Sequence, residues 1–221
     1  MSSATDTPSN GPRPRVLMLD HRDSFVFLLA DQIARLGVDV EVVRAGMSLT
    51  EWQGCLARLQ PTLVVLSPGP GHPNDASLAR AWLATRPTTP VFGVCLGHQV
   101  IGLAAGDTIE RAEEPVHGEA CVIDWSQQPF ADPLPERMPV ARYHSLLVVR
   151  SHGEAPLRTL ATSHHRGRDL VMAIEHTELP QLGVQFHPES VLTPHGQQLL
   201  RGVLAWAEQK QKSMAIEEMI R

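Results

Sequence analysis

The segment Gly93-Val94-Cys95-Leu96-Gly97 sets a thiol between two glycines, directly after an apolar run and at the start of an apolar helical stretch. Its shape is that of a nucleophile elbow with cysteine where serine is usual. The glycines permit a sharp, strained turn that pushes the sulfur into the open. A helix start beneath it favours the thiolate and leaves the Leu96 amide free to face an oxyanion. A second segment, His187-Pro188-Glu189, directly follows an apolar strand-like run. Residues two apart in an extended chain share a side, so His187 and Glu189 can reach one site. The imidazole would then act as base and the carboxylate would orient it. A third, Ser67-Pro68-Gly69-Pro70-Gly71, combines two prolines that fix φ with two glycines that bare backbone amides. No Gly-Lys-Ser/Thr follows, so it is not a phosphate loop.

Each segment alone has a plainer reading. Cys95 could be a small buried hydrophobe, which is what most cysteines are. His187-Pro188-Glu189 could simply end a strand, with the glutamate capping the next turn. Ser67 to Gly71 could be an ordinary tight turn. The elements around them favour a common site. Residues 16–19, 63–66 and 90–94 are apolar runs suited to strands buried on both faces. Val38, Val40 and Val42 alternate like a further strand. Between them, Phe25, Leu28, Leu29, Ile33 and Leu36 recur at helical spacing, with Gly37 where a C-terminal cap belongs. Thr50 and Gln53 read as a capping box for a helix carrying Leu56 and Leu59. Further helices are expected over residues 77–84 and from about 97 to 105.

This alternation predicts an α/β fold, an open, doubly wound, mostly parallel sheet. Ligands bind such sheets beyond the carboxyl ends of the strands, where all three segments lie. Residues 108–175 hold short apolar runs among Pro, Gly and His, which suggest antiparallel hairpins on an edge. Residues 183–186 read as a last strand and 195 to about 212 as a final helix. No repeat and no dividing linker is visible.

With 221 residues, 43% hydrophobic and 19% charged, the chain can bury an ordinary core. The net charge of −5 and the lack of a basic stripe disfavour nucleic acid and anionic membrane as partners. The apolar runs are too short to span a bilayer. Residues 1–14 are polar, without an apolar h-region, and are expected to be a disordered leader. Cys55, Cys95 and Cys121 make an odd count without Cys-x-x-Cys spacing, against a disulfide scaffold or structural zinc. A reducing, cytoplasmic location is expected. Cys55 and Cys121 read as structural, and His164-His165 as a solvated loop with no metal. Residues 209–221, with Met214, Ile216, Met219 and Ile220, read either as a docking stripe or as a frayed helix end.

In this order, Pro68-Gly69-Pro70-Gly71, Gly93-Val94-Cys95-Leu96-Gly97-His98-Gln99 and Gln185-Phe186-His187-Pro188-Glu189-Ser190 resemble the class I, triad-type glutamine amidotransferases. The resemblance runs from about residue 15 to 207. Within that class, Asp20-x-x-Asp23-Ser24-Phe25, Pro115-x-His117-Gly118, Arg142-Tyr143-His144-Ser145-Leu146 and Leu192-Thr193-x-x-Gly196 resemble the small subunits of anthranilate synthase and aminodeoxychorismate synthase. The resemblance implies a flavodoxin-like sheet with a small antiparallel edge region, forming one amidotransferase domain over residues 15–208. It implies Cys95 as nucleophile, His187 as base and Glu189 as third member, with the Gly69 and Leu96 amides as oxyanion hole. Gly69, Pro70, Gly71, Gln99, Ser145 and Leu146 would hold L-glutamine. Ammonia would pass to a chorismate-binding synthase partner. The partner surface would include His117 and residues 142–145. No cofactor is implied in this chain, and Mg2+ is expected only in the synthase. His21-Arg22, Ala105-Gly106 and Glu119 depart from the family pattern; none falls on the triad, and they bear on the choice of partner. Two alternatives are a cysteine hydrolase working alone and a catalytically silent regulatory subunit.

Overall fold

A computed structural model of the chain describes residues 13–112, 118–151 and 156–220. The expected leader up to residue 12, and the Pro115 and His117 positions, lie outside the described residues. Five strands form the parallel half of the sheet: β1 (Arg15–Asp20), β2 (Asp39–Arg44), β3 (Leu63–Leu66), β4 (Val91–Val94) and β11 (Gln181–Val184). Four more extend it antiparallel: β6 (Glu119–Trp125), β7 (Arg137–Arg142), β9 (Leu157–His165) and β10 (Arg168–His176). The order is β2-β1-β3-β4-β11-β10-β9-β6-β7. β5 (Thr108–Arg111) and β8 (Leu146–Val149) pair separately as a two-stranded ribbon.

The inner strands of the parallel half, β1, β3 and β4, are apolar on both faces because helices cover both, whereas the edge strand β2 is only half-buried. In β1, Val16 and Met18 join one core cluster while Leu17 and Leu19 join the other. The first cluster is covered by α1 (Val26–Ala34) and α5 (Gly196–Ile220), through Leu29, Ile33, Leu199, Val203 and Trp206. The second is covered by α2 (Leu49–Leu59), α3 (Ser77–Ala84) and α4 (Leu96–Ala104), through Trp52, Trp82, Leu83, Val100 and Ile101.

Several local expectations change. In α1 the buried stripe is Val26, Leu29, Ala30 and Ile33, so Leu28 falls off it and stays 42% exposed. The capping box of α2 is Ser48 with Glu51, not Thr50 with Gln53. Ser48 takes an extended conformation and its backbone N–H donates to the Glu51 carboxylate at 2.7 Å, while Thr50 already lies inside the helix. His164 and His165 end β9 instead of forming a loop. The turn is Arg166-Gly167, both at positive φ, and His164 Nδ1 pairs with Asp169 across it at 2.8 Å. α5 runs on to Ile220; of the expected stripe Met214 is half-buried, while Ile216, Met219 and Ile220 stand exposed.

One buried charge ties the two halves together. The Glu175 carboxylate of β10 is 1% exposed and accepts from Arg158 on β9 and from Trp206 Nε1 on α5, with Lys210 at 3.3 Å.

Candidate active site

Cys95 stands between β4 and α4 at φ 52°, a conformation that costs a non-glycine residue about 1–3 kcal/mol. Its surroundings enforce the strain. Its N–H donates to the Val184 carbonyl at 2.9 Å, tying the elbow to β11. A Cβ on Gly97 would run into the Leu66 carbonyl, and one on Gly93 into the Gly97 backbone. Only glycine at both positions lets α4 start this close to β3 and β4. The sulfur-bearing residue is left 7% exposed.

β11 delivers the other two groups. The His187 N–H donates to Ala141 on β7 at 3.1 Å, and Thr193 Oγ1 donates to the His187 carbonyl at 2.7 Å while accepting from Ala141 N–H at 3.0 Å. The rings of Tyr143 and Phe25 meet the imidazole edge-on, with centroids 5.0 and 5.3 Å away. His187 Nδ1 and Glu189 Oε1 are 2.7 Å apart, and both side chains are almost fully buried. Burial pulls the His187 pKa down, but the Cys95 sulfur and the Glu189 carboxylate outweigh it and push it up to about 10. Nε2 has no hydrogen-bond partner of ordinary geometry among the described residues.

The loop after β3 closes the third side. Gly69 is wedged between His21 and Leu96, either of which would lie 2.6 Å from a Cβ there. Among the described residues, neither the Gly69 nor the Leu96 N–H donates to a backbone carbonyl. Pro70 and Gly71 are exposed on this loop. Gln99, on the first turn of α4, is buried and donates to the Leu146 carbonyl at 3.1 Å. Ser145 is exposed and Leu146 half-buried at the start of β8. The structure therefore links Cys95, His187 and Glu189, and brings Gln99 against Leu146. A thiol, an imidazole it senses, a carboxylate behind that imidazole and two unengaged amides are the parts of an acyl-transfer site.

Gln185 and Gln32 were given no role in the sequence reading, and Arg142, expected on the partner surface, is buried. Gln185 Nε2 lies 3.6 Å from Cys95 Sγ. Gln32 Nε2 donates to the Glu189 carbonyl at 2.9 Å. Arg142 is 3% exposed and donates to His144 Nε2 at 3.2 Å. Gln185 follows directly on β11, at the carboxyl end where ligands of such sheets bind. Cys55 and Cys121 are half-buried free thiols, and burial pushes the Cys121 thiol up. Among the described residues no group of three or more His, Cys, Asp or Glu could hold a metal, and no helix is long and apolar enough to cross a membrane.

The family described as glutamine amidotransferase class-I matches residues 17–206. The chain is 40% identical over 209 residues to a pyocyanine-specific anthranilate synthase component 2 from Pseudomonas aeruginosa, covering 94% of this chain and 99% of that one. It is 42% identical over 190 residues to an anthranilate synthase from Azospirillum brasilense, covering 86% of this chain but 25% of that one. A solved structure from Thermoplasma acidophilum, assigned to GMP synthase, has the same fold. It superposes with a TM-score of 0.77 at 20% identity, covering 93% of this chain and 99% of that one.

Proposed function

The chain belongs to the class-I glutamine amidotransferase family, and from that premise we propose how its residues hydrolyse L-glutamine and which partner receives the ammonia. His187 takes the proton of the Cys95 thiol, which gives a thiolate beside an imidazolium. The thiolate adds to the side-chain carbonyl carbon of glutamine, and the Gly69 and Leu96 amides take the developing oxyanion. The imidazolium gives its proton to the departing nitrogen, so ammonia leaves and a γ-glutamyl thioester remains. His187 then takes a proton from water, which attacks the thioester and releases glutamate and the thiolate. Glu189 holds the imidazole in its tautomer and orientation. Gly69, Pro70, Gly71, Gln99, Ser145 and Leu146 hold the α-amino and carboxylate groups. No step uses a cofactor in this chain. The observation that carries this reading is the buried 2.7 Å His187–Glu189 contact beside a cysteine held at positive φ.

For the partner, we propose a chorismate-using synthase that makes anthranilate, with aminodeoxychorismate as the second product to test. Support comes from the relatives named as component 2 and from the Azospirillum anthranilate synthase, of which this chain matches one quarter. Ammonia freed into neutral water is protonated and lost, so a site completed by docking is expected to work slowly alone. The test measures product from glutamine and from ammonium salts, with and without synthase. Cys95→Ala should abolish the glutamine-dependent reaction and spare the ammonium-dependent one. Full-rate glutamine hydrolysis by the isolated chain, unchanged by any synthase, would rule out the subunit reading and favour a free-standing hydrolase. No hydrolysis in any complex would favour a silent subunit.

A further inference from the structure

Behind Cys95, a run of polar groups forms a hydrogen-bond chain whose direction is forced. It begins at Arg142, which can only donate. Its Nε is 3.2 Å from His144 Nε2, so that nitrogen must accept and the ring proton must sit on Nδ1. Nδ1 lies 3.1 Å from the Leu146 carbonyl oxygen, which can only accept. Burial first, then the Arg142 charge, lowers the His144 pKa to about 3, consistent with a neutral ring. The same carbonyl accepts from Gln99 Nε2 at 3.1 Å, and the second Gln99 proton goes to Gln185 Oε1 at 3.2 Å. Flipping the Gln99 amide would set its oxygen against the Leu146 oxygen, two acceptors face to face. With its own oxygen engaged, Gln185 presents its nitrogen to Cys95 Sγ at 3.6 Å.

We infer that Gln185 is a positioning residue for glutamine hydrolysis: its amide donates to the Cys95 sulfur and fixes Gln99 so that only the Gln99 carbonyl oxygen is left for a ligand. The chain of donors stands on geometry alone; its role in hydrolysis rests on the proposed reaction. Two consequences follow from the chemistry. The donated proton favours the thiolate over the thiol and restrains the sulfur. Gln99, with both amide protons engaged, can accept from the α-ammonium group of glutamine but cannot donate to its carboxylate. A merely structural amide in the core would do neither.

The two functions separate with two substitutions. Gln185→Glu keeps an acceptor for Gln99 but has no proton for the sulfur. Gln185→Leu loses both. Each is made in the full-length chain. The rate of Cys95 alkylation by iodoacetamide is followed against pH by peptide mass, alongside thermal melting and glutamine kinetics with the synthase. In both variants the midpoint of Cys95 alkylation should move up by about one pH unit, a tenfold change. The kcat for glutamine should fall roughly 10- to 100-fold, as expected for a lost hydrogen bond to a charged group. The KM for glutamine should rise clearly in Gln185→Leu and stay near wild type in Gln185→Glu. Product formation from ammonium salts should not change. An unmoved alkylation midpoint in a folded Gln185→Glu variant overturns the inference, even where Gln185→Leu fails to fold. If neither variant folds, the Gln185 side-chain amide signal in the wild-type NMR spectrum should shift when Cys95 is alkylated, and a signal that stays in place overturns it equally. A moved midpoint in a chain that yields no glutamate with any synthase would overturn the reaction while leaving the contact to the sulfur intact.

Discussion

At Cys95 the backbone is held by contact: two glycines pack against β3, β4 and α4 so tightly that no Cβ fits, and the residue between them is forced to positive φ. At His187 the backbone is held by hydrogen bonds, from the main chain of β7 and from Thr193, and the side chain by Glu189 and two aromatic rings. The two turns supply one site, but they should fail differently. Steric constraint is all-or-none and indifferent to pH, because packed atoms cannot be moved partway. A polar constraint can be weakened one proton or one bond at a time.

Gly97→Ala tests the steric constraint most severely. Its methyl would clash with the Leu66 carbonyl, and the expected loss is about 3 kcal/mol or more in urea unfolding. A loss under 1 kcal/mol would show that the elbow is not sterically fixed. Next comes pH. The His187 pKa is raised, so its contribution to stability is fully present below the unfolded value of 6.5 and fades as pH rises through about 10. Glu189→Gln should flatten stability across that window, whereas the cost of Gly97→Ala should be the same at either end. A smaller effect concerns the strain itself. Cys95→Gly should be about 1 kcal/mol more stable than Cys95→Ala, since glycine alone adopts this φ freely. Smallest is Val191→Ser, beside the His187 turn but 92% exposed, which should change the melting of the isolated chain by no more than about 0.5 kcal/mol. A larger change would mean that contact also supports this turn.

The same contrast explains what the sequence could disclose. Steric requirements leave glycines at fixed spacing, and a His-Pro-Glu run soon after an apolar strand marks His187 and Glu189, although it is a turn at 188–189 and not strand alternation that brings them together. The parallel half was legible for a related reason, since strands covered on both faces become unbroken apolar runs such as Leu63–Leu66. Polar constraints leave weaker traces. The link from Arg142 through His144 to Gln99 depends on where β8 passes α4, which no local pattern encodes. Gln185 stands at the carboxyl end of β11, but an amide has no titratable proton to draw attention to it. On α2 two candidate capping pairs lie within six residues, and the extended conformation of Ser48 selects the first. Residues 209–220 contain neither glycine nor proline, so nothing there stops α5, which continues past the expected end near residue 212.

Glu175 implies an order of loosening in acid. Burial alone would raise its pKa, but donation from Arg158 and Trp206 and the charge of Lys210 outweigh this and lower it from the ordinary 4.5. A lowered carboxylate stabilises the fold above its unfolded pKa, and that support disappears as pH falls through the folded value. Protonation would leave the acceptor of Trp206 weakened and the charge of Lys210 unanswered, both on α5. The helix should therefore detach as a unit before the parallel strands open. Amide hydrogen exchange during acidification would read this as early loss of protection along residues 200–210, while β1 and β3 remain closed. His187-Pro188-Glu189 would be disturbed at the same stage, because Gly196 at the head of α5 packs directly on the Pro188 carbonyl. Acid inactivation should accordingly precede global unfolding and reverse on neutralisation.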